Sequence, residues 1–224
     1  MALLRKAGRL SALAVLVAAA PLSAQVQAGQ WQVSPYGSAI RFDETSAIKD
    51  GPAAGIHAVY FINRYLAVGP SFLFSRTASD GEFFPAFQWN LGTDTSRVLH
   101  PGQKLSIAVF SGRAEVHLPA GRLSPYASAG AGWYSVYLDP QAAGDPHWFT
   151  HLMFEFGGGL DITLGSQTGV RLEVRDLLFT DYDRNSLDLV EERFESELFS
   201  RPNPPPPKER IHNLSFALGF TYVP

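Results

Sequence analysis

The residues best suited to chemistry in this 224-residue chain come in short runs with a spacing of two. Arg113, Glu115 and His117 form one run, and Arg171, Glu173 and Arg175 another, while Glu155 and Asp161 stand an even number of positions apart in a third segment. In a β-strand such spacing puts side chains on one face, so each run is a stripe of charge. Three arginines meet four carboxylates, and the charges nearly cancel. Buried charges persist when they are paired and hydrogen-bonded, so an internal salt-bridge network is the plain expectation. The sharper alternative is an acid/base or ion-conducting site, although no single reactive group stands out.

The histidines and serines do not assemble into a nucleophile and its base. His212 and Ser215 are three apart and fall on opposite strand faces. His117 shares a face with Ser111, but six residues of strand span about 20 Å, beyond hydrogen-bond reach. His147 and His151 flank the start of an alternating segment and would meet a metal only through a loop. The sequence therefore assigns no catalytic residue, no cofactor and no metal site.

The elements that position these stripes are strands. Leu152, Phe154, Phe156, Leu160, Ile162 and Leu164 share one face; His151, Glu155, Gly157, Gly159, Asp161 and Thr163 share the other. Val170, Leu172 and Val174 alternate with Arg171, Glu173 and Arg175, and Leu214, Phe216, Leu218, Phe220 and Tyr222 end the chain in the same way. Extending this test gives eight strands, at about 31–43, 55–63, 65–76, 104–118, 123–138, 150–164, 169–182 and 211–223. Short connections (Asn63-Arg64, Pro119 to Arg122, Gly165 to Gly169) alternate strictly with long ones at about 44–54, 77–103, 139–149 and 183–210. That pattern predicts an all-β, antiparallel up-and-down barrel with one tight rim and one elaborated rim. Phe83 to Asn90 reads as part of a hairpin rising from the barrel, because a ninth wall strand would break the alternation. The proline-rich loop at 201–208 reads as an extended spacer.

A membrane barrel and a soluble carrier barrel share this alternation with inside and outside exchanged. Strands of ten or more residues match a tilted crossing. The polar face is rich in Gly, Ser, Thr and paired charges, and aromatics such as Trp31, Tyr65, Trp133, Trp148 and Tyr222 cluster towards strand ends. These features favour the membrane. Residues 1–24 read as a secretory signal, with Arg5, Lys6 and Arg9 before the apolar run Leu10 to Ala20. Residues 25–224 would form the barrel domain. Losing the signal removes three basic residues and takes the formal charge from −3 to −6, which excludes a basic nucleic-acid surface. With no cysteine, stability comes without disulfides.

The lumen then receives Ser111, Arg113, Glu115, His117, Glu155, Asp161, Arg171, Glu173 and Arg175. Strict alternation points Asp176 at lipid in mid-strand, where a charge is costly; a bulge near Asp176-Leu177 would rescue it, and its facing stays open. Ser34-Pro35-Tyr36 recurs as Ser124-Pro125-Tyr126, half a barrel away, and reads as a rim motif with tyrosine at the interface. The facing of Tyr126 stays open, because both faces of its strand are small.

Pro125-Tyr126 with Gly130-Ala131-Gly132-Trp133, Phe156-Gly157-Gly158-Gly159-Leu160-Asp161 and Gly169 to Arg175 carry a family likeness. On them the chain resembles the OmpA-like/OmpX-like eight-stranded outer-membrane β-barrels. The resemblance implies a bacterial outer-membrane location, short periplasmic turns and long extracellular loops. It also implies a terminal strand read by the barrel assembly machinery, although here Val223-Pro224 follow the final aromatic Tyr222. The family's cell-wall tethering role is not carried over. The expected partners are outer-membrane lipid, that machinery, and an extracellular ligand or surface met by the loops. The expected function is non-enzymatic: a structural or surface-interaction role in adhesion or envelope integrity, with a closed, charge-paired lumen. The alternatives are a narrow porin, a side-opening channel for small or apolar solutes, and, behind these, a lipid-modifying enzyme. The enzyme is disfavoured because the histidine and serine two apart on one strand face, as in lipid A deacylases, are absent.

Overall fold

A computed structural model describes residues 27–84, 87–90, 96–99, 102–139, 145–188 and 205–224, with backbone alone at 87–90 and 96–99. The expected signal segment and its cleavage site lie outside these residues, as do positions 201–204 of the proline-rich loop. Eight strands close into an all-antiparallel barrel: β1 (Trp31–Arg41), β2 (Gly51–Phe61), β3 (Leu66–Ala78), β6 (Lys104–His117), β7 (Leu123–Asp139), β8 (His147–Thr163), β9 (Thr168–Phe179) and β10 (Ile211–Tyr222). Each wall strand pairs with its neighbours in sequence, and β1 pairs with β10 to close the wall. Two short strands, β4 (Phe87–Asn90) and β5 (Ser96–Leu99), pair with each other and with no wall strand, so the described part of the apolar stretch at 87–90 lies in a hairpin outside the wall, while Gly81–Phe83 form a 3-10 turn. Register can be followed all the way round. The path Trp31–Tyr60–Val68–Ala114–Ala129–Phe156–Asp176–Leu214 closes on Arg41, ten residues further along β1. Such a stagger tilts the strands by about 40°.

Strand ends differ from the sequence reading where the residues are small or the loop is paired. β2 starts at Gly51, since Gly51-Pro52-Ala53-Ala54 gives no alternation to read. β8 starts at His147 because it runs on beyond the rim in step with β7. β9 stops at Phe179. At the tight rim, Asn63 holds its turn by accepting from the Tyr65 and Leu66 backbone N–H groups at 2.8 and 2.9 Å. Gly121 adopts φ 64° in the β6–β7 turn, a conformation that suits glycine.

Along several strands the alternation changes its sense part-way. On the tight-rim side of β6, Phe110, Gly112, Ala114 and Val116 face out while Ser111, Arg113, Glu115 and His117 face in. Towards the long-loop rim Lys104 and Ser106 face out while Leu105, Ile107 and Val109 face in. The same switch falls between Glu155 and Met153 on β8, and between Arg175 and Leu177 on β9. The geometry keeps its period of two; only the chemistry of the faces is exchanged.

Beyond the switch the lumen is an apolar core. Tyr134 and Phe179 stack at 4.0 Å between ring centroids, among Leu105, Ile107, Val136, Leu138, Met153, Leu177 and Ile211. Loop residues complete it from above: Ala47, Ile48, Phe84, Tyr182 and Leu187 belong to the same cluster. These loops are tied to one another. The Tyr182 hydroxyl donates to the Ser46 carbonyl, and Arg184 donates to the carbonyls of Thr45 and Pro205 while lying over the Phe83 ring. Pro205 to Lys208 are exposed and irregular.

Candidate functional site

Arg113, Glu115, His117, Glu155, Asp161, Arg171, Glu173 and Arg175 all lie inside the barrel and are all buried. β9 supplies the spine, because Arg171, Glu173 and Arg175 occupy three successive inward positions. Arg171 Nε donates to Asp161 at 3.0 Å, and its Nη2 reaches Glu115. Arg113 contacts Glu115 through Nε and Glu173 through Nη1, both at 3.0 Å. Arg175 contacts Glu173 through Nε at 2.9 Å and Glu155 through Nη1 at 3.1 Å. Every one of these carboxylates therefore has an arginine nitrogen within 3.1 Å. Ser111 donates to Glu155 at 3.1 Å.

Four further groups, Tyr36, His57, Ser71 and Tyr126, complete the network, and sequence reasoning did not place them. Tyr126 faces inward and its hydroxyl donates to Glu173 at 2.7 Å. Tyr36 also faces inward; it accepts from Arg175 Nη2 at 2.8 Å and donates to the Phe72 carbonyl at 3.1 Å. The two Ser-Pro-Tyr tyrosines thus play one part: Arg171 lies over the Tyr126 ring at 4.2 Å and Arg175 over the Tyr36 ring at 5.1 Å. They sit in the lumen rather than at the lipid interface. His57 stacks on Tyr36 at 4.3 Å and lies 2.9 Å from Ser71 and 3.5 Å from Glu173. Part of the signal was available in the arginines themselves, since planar guanidiniums also stack on aromatic faces, which carboxylates do not supply.

Glycines make room for the large groups. A Cβ on Gly55 would meet the Tyr36 hydroxyl at 2.3 Å, and one on Gly159 would meet the Tyr126 hydroxyl at 2.7 Å. At the tight rim, a pocket of about 130 Å³ reaches inward to Gln32, His117 and Asp161, where the network begins.

The serines and histidines find partners other than those the sequence suggested. His117 lies 3.3 Å from Ser124 through Nδ1 and 2.9 Å from Glu115 through Nε2, while Ser111 belongs to Glu155. Serine, histidine and acid thus meet, but the Glu115 charge is already held by Arg113 and Arg171. A triad acid must instead stabilise the imidazolium that forms when serine loses its proton. Ser215 is buried, whereas His212 faces outward and contacts Asp176 at 2.7 Å. His147 and His151 are bracketed by Phe149 at 6.3 and 5.7 Å between centroids.

Asp176 has a facing that the sequence leaves open. No bulge exists there: both pairings of β9 run without interruption past Asp176 and Leu177. Asp176 does face outward, but as the first outward position past the switch on β9, where His212 pairs with it.

Residues 10–190 match the family described as outer membrane protein beta-barrel domain. Neisserial surface protein A is similar in structure at 10% identity, with 86% of this chain and 96% of that one covered and a TM-score of 0.56. Ail, the attachment invasion locus protein of Yersinia pestis, is 13% identical over 88% of this chain and 99% of its own, with a TM-score of 0.47. OprG from Pseudomonas aeruginosa is 10% identical over 88% and 96%, also with a TM-score of 0.47. No curated protein matches the chain in sequence.

Proposed function

The chain belongs to the outer membrane β-barrel domain family and sits in the bacterial outer membrane, and from that premise we propose that it is a closed, non-conducting and non-enzymatic barrel whose work is done at the cell surface. The tight rim faces the periplasm and the long loops face outward, as short and long connections do in this architecture. One observation carries the reading: the lumen is filled twice over. At membrane level the ion pairs of Arg113, Arg171 and Arg175 occupy it, and above them an apolar core continuous with the loops covers the mouth. A solute would have to part both. An eight-stranded interior is only wide enough for its own side chains, so neither can step aside into empty space.

This reading leaves the outer loops as the functional surface, in adhesion or envelope integrity. Its partners are outer-membrane lipid around the wall, the assembly machinery that reads the alternating β10, and a surface or ligand met by the loops. Planar-bilayer recording of the refolded protein tests it. The expected trace has no steady unitary steps. A reproducible ohmic conductance with lumen-dependent ion selectivity would overturn the closed barrel in favour of a narrow pore.

A further inference from the structure

Past the switch in alternation the wall stands in water, so its outward positions should be polar. Most are: Arg41, Arg76, Lys104, Ser106, Ser135 and Thr150. Nearest the switch Leu152 is still apolar, and furthest from it Tyr137 and Trp148 depart from this. They are 45% and 70% exposed, directly opposed across β7 and β8, and face outward. Tyr137 lies four residues beyond Trp133 along β7, about 10 Å further from the membrane at the tilt of the strands. An aromatic belt at the hydrocarbon boundary is therefore already supplied one level lower by Trp133.

The register places them in a line. Arg76, Ser106, Tyr137 and Trp148 are consecutive partners across β3, β6, β7 and β8. The line spans three inter-strand spacings, about 14 Å, the width of a short oligosaccharide. One row below, the hydroxyls of Ser135 and Thr150 are 2.6 Å apart; one row above stands Lys104. Asp139 stands opposite Lys104 across β6 and β7, but neither Arg76 nor Lys104 forms an ion pair with it or with any other described residue.

We propose that this row binds the sugar-and-phosphate headgroup of the glycolipid that surrounds the barrel in the outer leaflet. The C–H face of a pyranose ring is apolar and lies flat on an indole or phenol, while its hydroxyls bond to serine and threonine. Arg76 and Lys104 supply the cations for phosphate. Position selects this occupant over a soluble protein. The row is on the flank of the barrel, continuous with the lipid-facing band below it, and climbs about 9 Å from Arg76 to Trp148 at the tilt of the strands, so a molecule held by acyl chains in that band presents its headgroup along it. A protein arriving from the medium meets the loop tips first. The inference depends on the membrane placement and not on whether the lumen conducts.

The test uses the full chain folded in detergent micelles, with folding of every variant checked by the mobility difference between boiled and unboiled samples. It is mixed with lipopolysaccharide carrying its full core oligosaccharide, or with the deep-rough form lacking most core sugars. Lipid retained after repurification is read by native mass spectrometry. The wild type should retain the full-core form preferentially. Tyr137→Ala with Trp148→Ala should lower that retention at least tenfold and leave the deep-rough form unchanged. Arg76→Gln with Lys104→Gln should lower both. Equal retention of both forms by the wild type, or unchanged full-core retention by the aromatic double variant, overturns the proposal. So does quenching by acyl-brominated lipid that is lost in Trp148→Phe, which would put Trp148 in hydrocarbon. Saturable capture of a soluble protein by this row, with no lipid preference, would assign it to a protein partner and overturn the glycolipid reading.

Discussion

On β9, Arg171, Glu173 and Arg175 fill the lumen with ion pairs, and two inward positions further on Leu177 and Phe179 fill it with hydrocarbon. The two tiers share one wall, one register and one period, and differ in what lies outside them. Where lipid surrounds the barrel, the apolar residues are spent outward and the enclosed face is polar. Where water surrounds it, the enclosed face becomes the core of an ordinary soluble β-barrel. The tiers also differ in how they fail. An apolar core weakens by degrees as volume is lost, because each methylene counts separately. A network of buried charges fails at once, because removing one partner strands another.

The largest test of that contrast is Arg171→Met, which leaves Asp161 and Glu115 short of their shared cation. Unfolding in urea from micelles should show a loss of about 3–5 kcal/mol. A loss below about 1 kcal/mol would mean that the network is solvated and not structural. Next come two shape-conserving changes at successive inward positions of β8. Glu155→Gln should cost about 1.5–3 kcal/mol, since it weakens charge-assisted bonds from Arg175 and Ser111. Met153→Leu should cost less than about 1.5 kcal/mol in the same assay. Equal costs would erase the distinction between the tiers.

The smallest effect belongs to the outer loops. Burial would raise the pKa of Asp43, but hydrogen bonds from the Thr45 hydroxyl and backbone N–H, and the charge of Lys208, hold it below the ordinary aspartate value. A carboxyl depressed in the folded state stabilises it fully above the unfolded pKa, and that contribution is lost as pH falls through the folded pKa. Amide exchange in residues 42–50, corrected for its intrinsic pH dependence, should therefore show weaker protection at pH 3 than at pH 7, and Asp43→Asn should remove the difference.

How much could be read beforehand depended on side-chain contrast. β6, β8, β9 and β10 alternate bulky apolar with charged or small residues, and their facing was legible. β1, β2 and β7 hold long stretches of Gly, Ala, Ser and Pro, which signal strand ends and bends but not which face is inward. Tyr36, His57 and Tyr126 were hidden there. The switch was present as paired apolar residues, Val109-Phe110 on β6 and Met153-Phe154 on β8. A search for uninterrupted alternation passes over such pairs. The facing of Asp176 stayed open for the same reason: with one chemistry assumed along the whole strand, an outward charge needed a bulge to rescue it.

The circuit from Trp31 to Arg41 has a further meaning. One lap of the wall advances ten residues, a climb of about 25 Å at this tilt, which is also about the height of the apolar band of such barrels. The wall is a screw thread whose pitch equals the membrane it crosses. Each strand therefore enters and leaves hydrocarbon at its own residue, offset by a fixed step from its neighbour. One residue inserted in any strand would exchange that strand's faces beyond the insertion and change the pitch for the whole lap. Length tolerance must lie in the loops, and the eight wall strands are one gauge cut to one membrane.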